Sequence, residues 1–391
     1  MQLTTKRCLL AAALSLAAPF VPDVARASDV TTKASTEVAA YQDSVATSVL
    51  TPSVGVSVED PTAGWRGSGR YLVDVVTAAS PDIVSTASPR WTEVRNAGNI
   101  GVRYKPRSFG AAVNASTSYT PDYLSLGASG QLIEDLDDKN LTLTQGYGYG
   151  HDIIGRTGTA FSVFSRQLEY HTLSVGISRV VNPTLVLSLS GELMIERGDQ
   201  SKPYRYIPIF APEVAASVPR GASVGTVVGM RLQARPLEQL PLDRERGSVS
   251  GRIAWRAGRS TLRLDERLYT DTWGLRATTT DARWLVDVAQ RVTLWPHLRA
   301  HLQSGVVFWR RAYSAPSIDA LPALRTGDRE LGPLLNLGVG GGIRFALGKP
   351  GSLDDLVWTT TFDGTYTRFA DALYVKERFS AIVATSLEVT F

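Results

Sequence analysis

Hydrophobic and polar residues take turns along most of this chain. In "LSLGASGQL" (124–132), Leu124, Leu126, Ala128, Gly130 and Leu132 share one face, and Ser125, Gly127, Ser129 and Gln131 share the other. In "LVLSLSGELMIER" (185–197), Leu185, Leu187, Leu189, Leu193 and Ile195 oppose Ser188, Ser190, Glu192 and Glu196. The final stretch, "FSAIVATSLEVTF" (379–391), carries Phe379, Val383, Leu387, Val389 and Phe391 on one face and Ser380, Ser386, Glu388 and Thr390 on the other. A period of two reads as a strand, because successive side chains leave opposite faces. A soluble sandwich shares the alternation but has little reason to end there without a polar tail. A bacterial outer-membrane barrel does, because its last strand closes the cylinder. Phe391 is then the expected assembly signal.

One unit recurs: an alternating segment, then a turn rich in Gly, Pro, Asn or Asp. Strands are predicted at 36–42, 45–59, 65–75, 91–104, 110–119, 123–133, 140–149, 170–180, 184–197, 244–256, 261–269, 276–292, 298–313, 331–347, 356–368 and 378–391. That is about sixteen, with fourteen to eighteen acceptable. Short turns are expected at 60–65, 105–109, 134–140, 181–184, 257–260, 294–297 and 348–355. Longer loops alternate with them at 76–90, 150–168, 198–243, 314–330 and 369–377. Only 120–123 and 270–274 are short where a long loop is due. Loops sorted by length in this way predict an all-β, transmembrane, antiparallel up-and-down barrel with its short turns in the periplasm. Trp65, Tyr104, Phe109 and Trp295 fall beside short turns, where an aromatic girdle belongs.

Hydropathy agrees with a barrel without proving one. Mean hydropathy is −0.04, and no segment after the N-terminal region offers eighteen consecutive apolar residues. Barrel strands escape such scans because lipid-facing and lumen-facing residues alternate. The N-terminus, "MQLTTKRCLLAAALSLAAPFVPDVARA", has a basic start, an apolar run and a small-x-small end at Ala25–Ala27. It reads as a signal peptide over 1–27, leaving 28–391 as a single barrel domain exported to the outer membrane. Few residues then precede the first strand, which disfavours a transporter with an internal plug. Cys8 is the only cysteine and lies in this leader, so the exported chain is expected to form no disulfide and no thiolate site. Removing Lys6, Arg7, Arg26 and Asp23 lowers the net charge of +4 to about +2, which points to no nucleic-acid partner.

Several stretches resemble a family of Gram-negative outer-membrane β-barrel proteins known as a domain of unknown function. They are "YQD" (41–43), "VDVVTAASP" (73–81), "KPYRYIPIF" (202–210), "RLDERLYTDTWGL" (263–275) and "WPHLRAHLQSGVVFWRRAY" (295–313). The family usually has Gly where Ala78 stands, and Tyr where Glu266 and Leu268 stand. The resemblance implies location and fold and supplies no catalytic residues. It also implies a neighbourhood of a small lipoprotein, a thioredoxin-like protein and a flavin-attaching enzyme, hence a periplasmic redox context.

The remaining chemistry concentrates on inward faces. Arg252, Arg256, Arg263, Asp265, Arg267, Asp281, Arg283, Asp287, Arg299 and His301 are the pore-lining candidates. Cross-strand neighbours lie about 5 Å apart, so opposed Asp and Arg rows make a ladder of ion pairs. Such a wall either biases which solutes pass or holds strand register. Loop 198–243, with six prolines, is long enough to fold inward and narrow the lumen. Alternation aims Glu266 at lipid, so either it lies near the outer interface, the preferred reading since the strand ends near Tyr269, or a bulge turns it inward. A loop-borne hydrolase is the rival class, with His151, His171, Asp152, Ser162 and Ser165 as its raw material. His297 sits in an expected turn. No zinc spacing is present, no calcium loop is recognisable around Asp82, Asp122 or Asp271, and no cofactor is expected. "GVGGGI" (338–343) reads as a bend or bulge in the wall. The favoured function is a passive or gated channel for small polar or charged solutes. A scaffold for a periplasmic export or redox system is the alternative. Expected partners are outer-membrane lipid, the barrel-assembly machinery and periplasmic lipoprotein or redox proteins.

Overall fold

The computed structural model describes residues 30–78, 91–351 and 353–391. The expected leader, Cys8 and Asp82 lie outside the described residues, as does the 76–90 loop from residue 79 on. Sixteen strands form the wall. They are β1 (Thr31–Asp43), β2 (Thr47–Asp60), β3 (Trp65–Ala78), β4 (Trp91–Tyr104), β5 (Phe109–Thr120), β6 (Tyr123–Leu136), β7 (Leu141–Ile154), β8 (Arg166–Asn182), β9 (Leu185–Gly198), β11 (Asp243–Ala257), β12 (Ser260–Asp271), β13 (Arg276–Ala289), β14 (Val292–Gln303), β16 (Leu334–Gly348), β17 (Asp355–Phe369) and β18 (Glu377–Thr390). All pair antiparallel with their neighbours in chain order, and β1 pairs with β18 to close the cylinder. The seam runs to the last residue, whose N–H donates to the Thr32 carbonyl at 2.9 Å.

Alternation decides which face is which. Val56, Ile100, Val102, Val113, Leu132, Val175, Leu189, Leu264, Leu298 and Val339 stay exposed on one face of the wall. A continuous exposed apolar surface on a closed antiparallel barrel is a lipid-facing band. Trp65, Tyr104, Phe109, Trp255, Trp284 and Trp358 flank it near the short turns, and Tyr119, Tyr149 and Phe379 near the long loops. Aromatic belts at two heights match the two interfaces of a bilayer. The protein is therefore a transmembrane barrel of the outer-membrane type.

One predicted hairpin is displaced. The turn expected at 294–297 falls inside β14, and the real connection is the residue pair 290–291. Pro296 misleads a sequence reading, yet the β13–β14 ladder skips Trp295 and Pro296, so the missing N–H is not needed. Trp295 consequently faces the lumen and lies over Gly342, and it does not join the outer girdle. The expected strand 298–313 ends at Gln303. The apolar residues after it, such as Val306, belong to a separate core beyond the barrel rim. The "GVGGGI" stretch runs through β16 without a register shift, which comes only later, between Ala346 and Gly348. Gly340 and Gly342 make room for the Asp363 and Trp295 side chains, and Gly341 lies against the Trp295 backbone.

Loop segments with several small cores of this kind cap the long-loop rim. This cap contains β10 (Ile209–Phe210), α1 (Pro212–Ala215), α2 (Val224–Met230) and β15 (Tyr313–Ser314), with β10 parallel to β15. Ser223 caps α2 by accepting the Thr226 N–H at 3.0 Å. Ile207, Ile209 and Phe210 are at most 1 % exposed. They are among the most completely buried side chains of the described structure, so the cap is a packed unit and not a loose loop.

Candidate functional site

The inner face of β11–β14 carries a ladder of ion pairs. Asp265 accepts from Arg263 Nε at 2.7 Å and also from Arg252 Nε. Asp287 accepts from Arg256 at 3.1 Å and from the Thr293 hydroxyl at 2.9 Å. Asp281 faces Arg283 at 3.4 Å, Arg299 at 3.6 Å and His297 Nε2 at 2.7 Å. His301 Nδ1 is 2.7 Å from the Thr279 hydroxyl. Arg267 reaches Glu192 on β9 at 3.5 Å. The ten residues picked out in the sequence thus share one face and form several separate clusters along it.

The charged lining extends beyond its sequence outline. His297, placed in a turn by the sequence, is a lumen residue held between two carboxylates, with Nδ1 2.7 Å from Asp363 Oδ1. Asp363 is the one charged residue in "WTTTFDGTYT" (358–367), a signal that a strict inward count on β17 would have found. A second set of pairs lines the opposite wall: Glu37 with Arg70 at 2.8 Å and Asp74 with Arg95 at 2.7 Å. With Asp363 and Glu192 included, the arginine excess shrinks. The six arginines of the β11–β14 set then face five carboxylates.

These charges are exposed. Arg252, Arg256, Arg267 and Arg299 keep 47, 53, 50 and 51 % of their side-chain surface exposed inside a closed wall. Side chains therefore do not pack the lumen shut along the ladder.

Glu266 departs from expectation. It faces outward, as alternation requires, but it sits mid-strand and not at the interface. Leu262 and Leu264 lie on one side of it and Leu268 and Thr270 on the other. Thr278 and Thr280 each donate a hydroxyl to its carboxylate at 2.5 Å. Those two bonds replace the hydration that lipid cannot offer.

The cap is tied to the rim on several sides. Tyr204 donates to Asp122 at the β5–β6 turn at 2.8 Å. Gly221 and Ala222 donate backbone N–H groups to Ala372 and Leu373 in the β17–β18 connection. Those two anchor points are six strands apart by the shorter way round the sixteen-strand wall, so loop 199–242 reaches well across the mouth. Inside the cap, Glu238 is fully buried and accepts from Lys202 N–H at 3.0 Å, Arg205 at 3.2 Å and Thr326 at 2.6 Å. Burial alone pushes the Asp328 carboxyl up, but Arg205, 3.0 Å away, outweighs it and holds that carboxyl below its ordinary value. Asp271 is fully buried against Arg244, whose guanidinium lies over the Trp273 ring at 4.1 Å. The stretches "KPYRYIPIF" and "DTWG" thus both build the cap.

The Ser/His/Asp arrangement considered for a hydrolase is not assembled. His151 and His171 are on the outer face, where His171 Nδ1 meets the Tyr147 hydroxyl at 2.7 Å. Asp152 points inward and accepts from Tyr123. Among the described residues, no three His, Cys, Asp or Glu side chains converge in a way that could hold a metal ion.

A family model described as "Protein of unknown function (DUF3570)" matches residues 3–354. The chain belongs to this family. No match is found among functionally curated proteins. Solved structures resemble the barrel at low identity. The siderophore receptor PirA from Acinetobacter baumannii gives a TM-score of 0.40 at 10 % identity, covering 87 % of this chain and 53 % of that one. The chain thus spans about half the length of that receptor. OccK5 (OpdH) from Pseudomonas aeruginosa gives 0.43 at 10 % identity, covering 93 % and 98 %. A bacterial polysaccharide outer membrane secretin gives 0.45 at 8 % identity, covering 93 % and 98 %.

Proposed function

We propose that this DUF3570 protein is a gated channel of the outer membrane for small polar or charged solutes. The single observation that carries this reading is the exposed charge inside a closed wall. Arginines half open to water in a lumen describe a solvated passage, because a filled barrel would bury them. Export by the N-terminal leader and insertion by the barrel-assembly machinery complete the proposal. The packed cap supplies the gate. Single-channel recording in planar bilayers tests it: stepwise conductance is expected, and a silent barrel that is demonstrably folded would count against it.

The cap also favours a second reading. A mouth spanned by a unit with its own cores suits a scaffold that receives a periplasmic lipoprotein or redox partner from the short-turn side. The same recording separates the two, since a scaffold has no need to conduct.

A further inference from the structure

The lumen wall is not uniform. Charge occupies the inner faces of β1–β4 and β9–β14, where each Asp and Glu named above is engaged by arginine or histidine. The inner face of β5–β8 differs. Between Asp135 near the short turns and Asp152 near the long loops it carries no carboxylate, lysine, arginine or histidine. It carries Asn114, Ser116, Ser129, Gln131, Thr144 and Ser174, interleaved with Gly127, Gly146, Gly148 and Gly176. Asn114, Ser116, Ser129 and Gln131 are exposed.

The glycines have a definite job. A Cβ at Gly127 would lie 2.8 Å from Ser116 Oγ, one at Gly146 2.5 Å from Ser174 Oγ, and one at Gly176 2.6 Å from Thr144 Oγ1. Each hydroxyl leans over the glycine paired with it on the next strand. The result is a recessed wall of hydroxyl and amide groups, flat because nothing larger projects from it. At its long-loop end stand two lumen-facing tyrosines, Tyr123 and Tyr170, the second with its ring over Gly150. Aromatic faces followed by uncharged hydrogen-bonding groups suit a solute that has C–H faces and many hydroxyls. Charged solutes gain nothing on this arc, because it offers no counter-charge.

We propose that the β5–β8 inner wall is a binding track for small neutral polyhydroxylated solutes of the sugar class. This rests on the channel reading and names the solute for it. The ion-paired arcs then hold the cylinder's shape and set its width, while the uncharged arc makes the contacts that select.

The test uses the full-length barrel in proteoliposomes, with swelling rates in glucose and sucrose measured beside potassium chloride conductance. The wild-type barrel is expected to pass glucose and to conduct. The triple variant Ser116→Ala, Ser129→Ala, Thr144→Val keeps every charge. It is expected to lower sugar flux at dilute sugar roughly fivefold, the scale of one lost hydrogen bond, with conductance unchanged. Arg70→Gln, on the charged arc, is expected to alter ion preference and leave sugar flux alone. A barrel that conducts ions but excludes glucose overturns the track and spares the channel. So does sugar flux untouched by the triple variant. A folded barrel that passes neither overturns both.

Discussion

His297 reaches Asp363 across the whole width of β16, and residue 340 between them is a glycine. The three are aligned in register, His297 with Gly340 and Gly340 with Asp363. A Cβ at position 340 would collide with Asp363 Oδ1 and with the Phe362 carbonyl oxygen. The glycine is thus a gap through which a carboxylate passes to grip an imidazole that Asp281 already holds from the other side. Gly340→Ala should therefore cost about 1–3 kcal/mol, the usual range for forcing a group into occupied space. The measurement is the temperature at which folded protein loses its altered gel mobility, and an unshifted transition would show that Asp363 has another place to go.

Phe391 matters for a related reason. Its backbone exchanges two hydrogen bonds with Thr32, the N–H donating at 2.9 Å and the carbonyl accepting at 3.4 Å. Deleting it removes the last rung of the seam together with an apolar ring. Less protein should appear in the outer-membrane fraction. Equal insertion of the deleted and intact chains would sink the role assigned to this residue.

Replacing Arg252, Arg256 and Arg263 by glutamine strips Asp265 of both its donors. If the ladder selects ions, the reversal potential should move toward cations, and the shift should fade with salt as the screening length drops to about 3 Å at 1 M. If it is structural, thermal stability should fall, and only slightly, given how exposed these side chains are. The near balance of six arginines and five carboxylates predicts a modest shift. An unchanged potential in an equally stable barrel would refute both roles.

Acid should loosen the cap. Asp328 titrates below its ordinary value in the folded cap because Arg205 favours its charged form. A depressed carboxylate adds stability that is present above its unfolded value, about 3.9, and is lost as pH falls through its folded value. Limited proteolysis between pH 7 and pH 3 should find loop 199–242 protected at the upper end and cleaved at the lower. Cleavage independent of pH would show that this pair does not hold the cap.

Orientation can be read on living cells. Short turns face the periplasm in barrels of this kind, so an epitope tag in loop 198–243 should bind antibody on intact cells and a tag at 134–140 should not. The opposite labelling would invert the topology.

The wall was legible because its physics is local. Period-two alternation and turn residues were enough to delimit "LSLGASGQL" and "LVLSLSGELMIER", and their registers follow the expected faces. The ion-pair ladder was legible for the same reason. What failed was non-local. Pro296 looks like a turn until the partner strand shows a ladder with no bond to give there. Val306 looks like a strand residue until Leu240 and Trp273 meet it in the cap. Glu266 looks costly enough to belong at an interface until two threonines from β13 cover it. Asp363 gains its meaning only once Gly340 is known to lie beside it.

The seam between the first and last strands sets how this protein comes into being. Lys33 pairs with Thr390, so nearly the whole chain must be made before the cylinder can shut. Any shorter stretch is an open sheet with two bare edges, and a bilayer interior has no water to satisfy them. Truncation at a hairpin would yield an adhesive sheet and not a narrower pore. Closure is therefore one cooperative step that joins the two ends of the wall, and not a sum of hairpins each stable by itself.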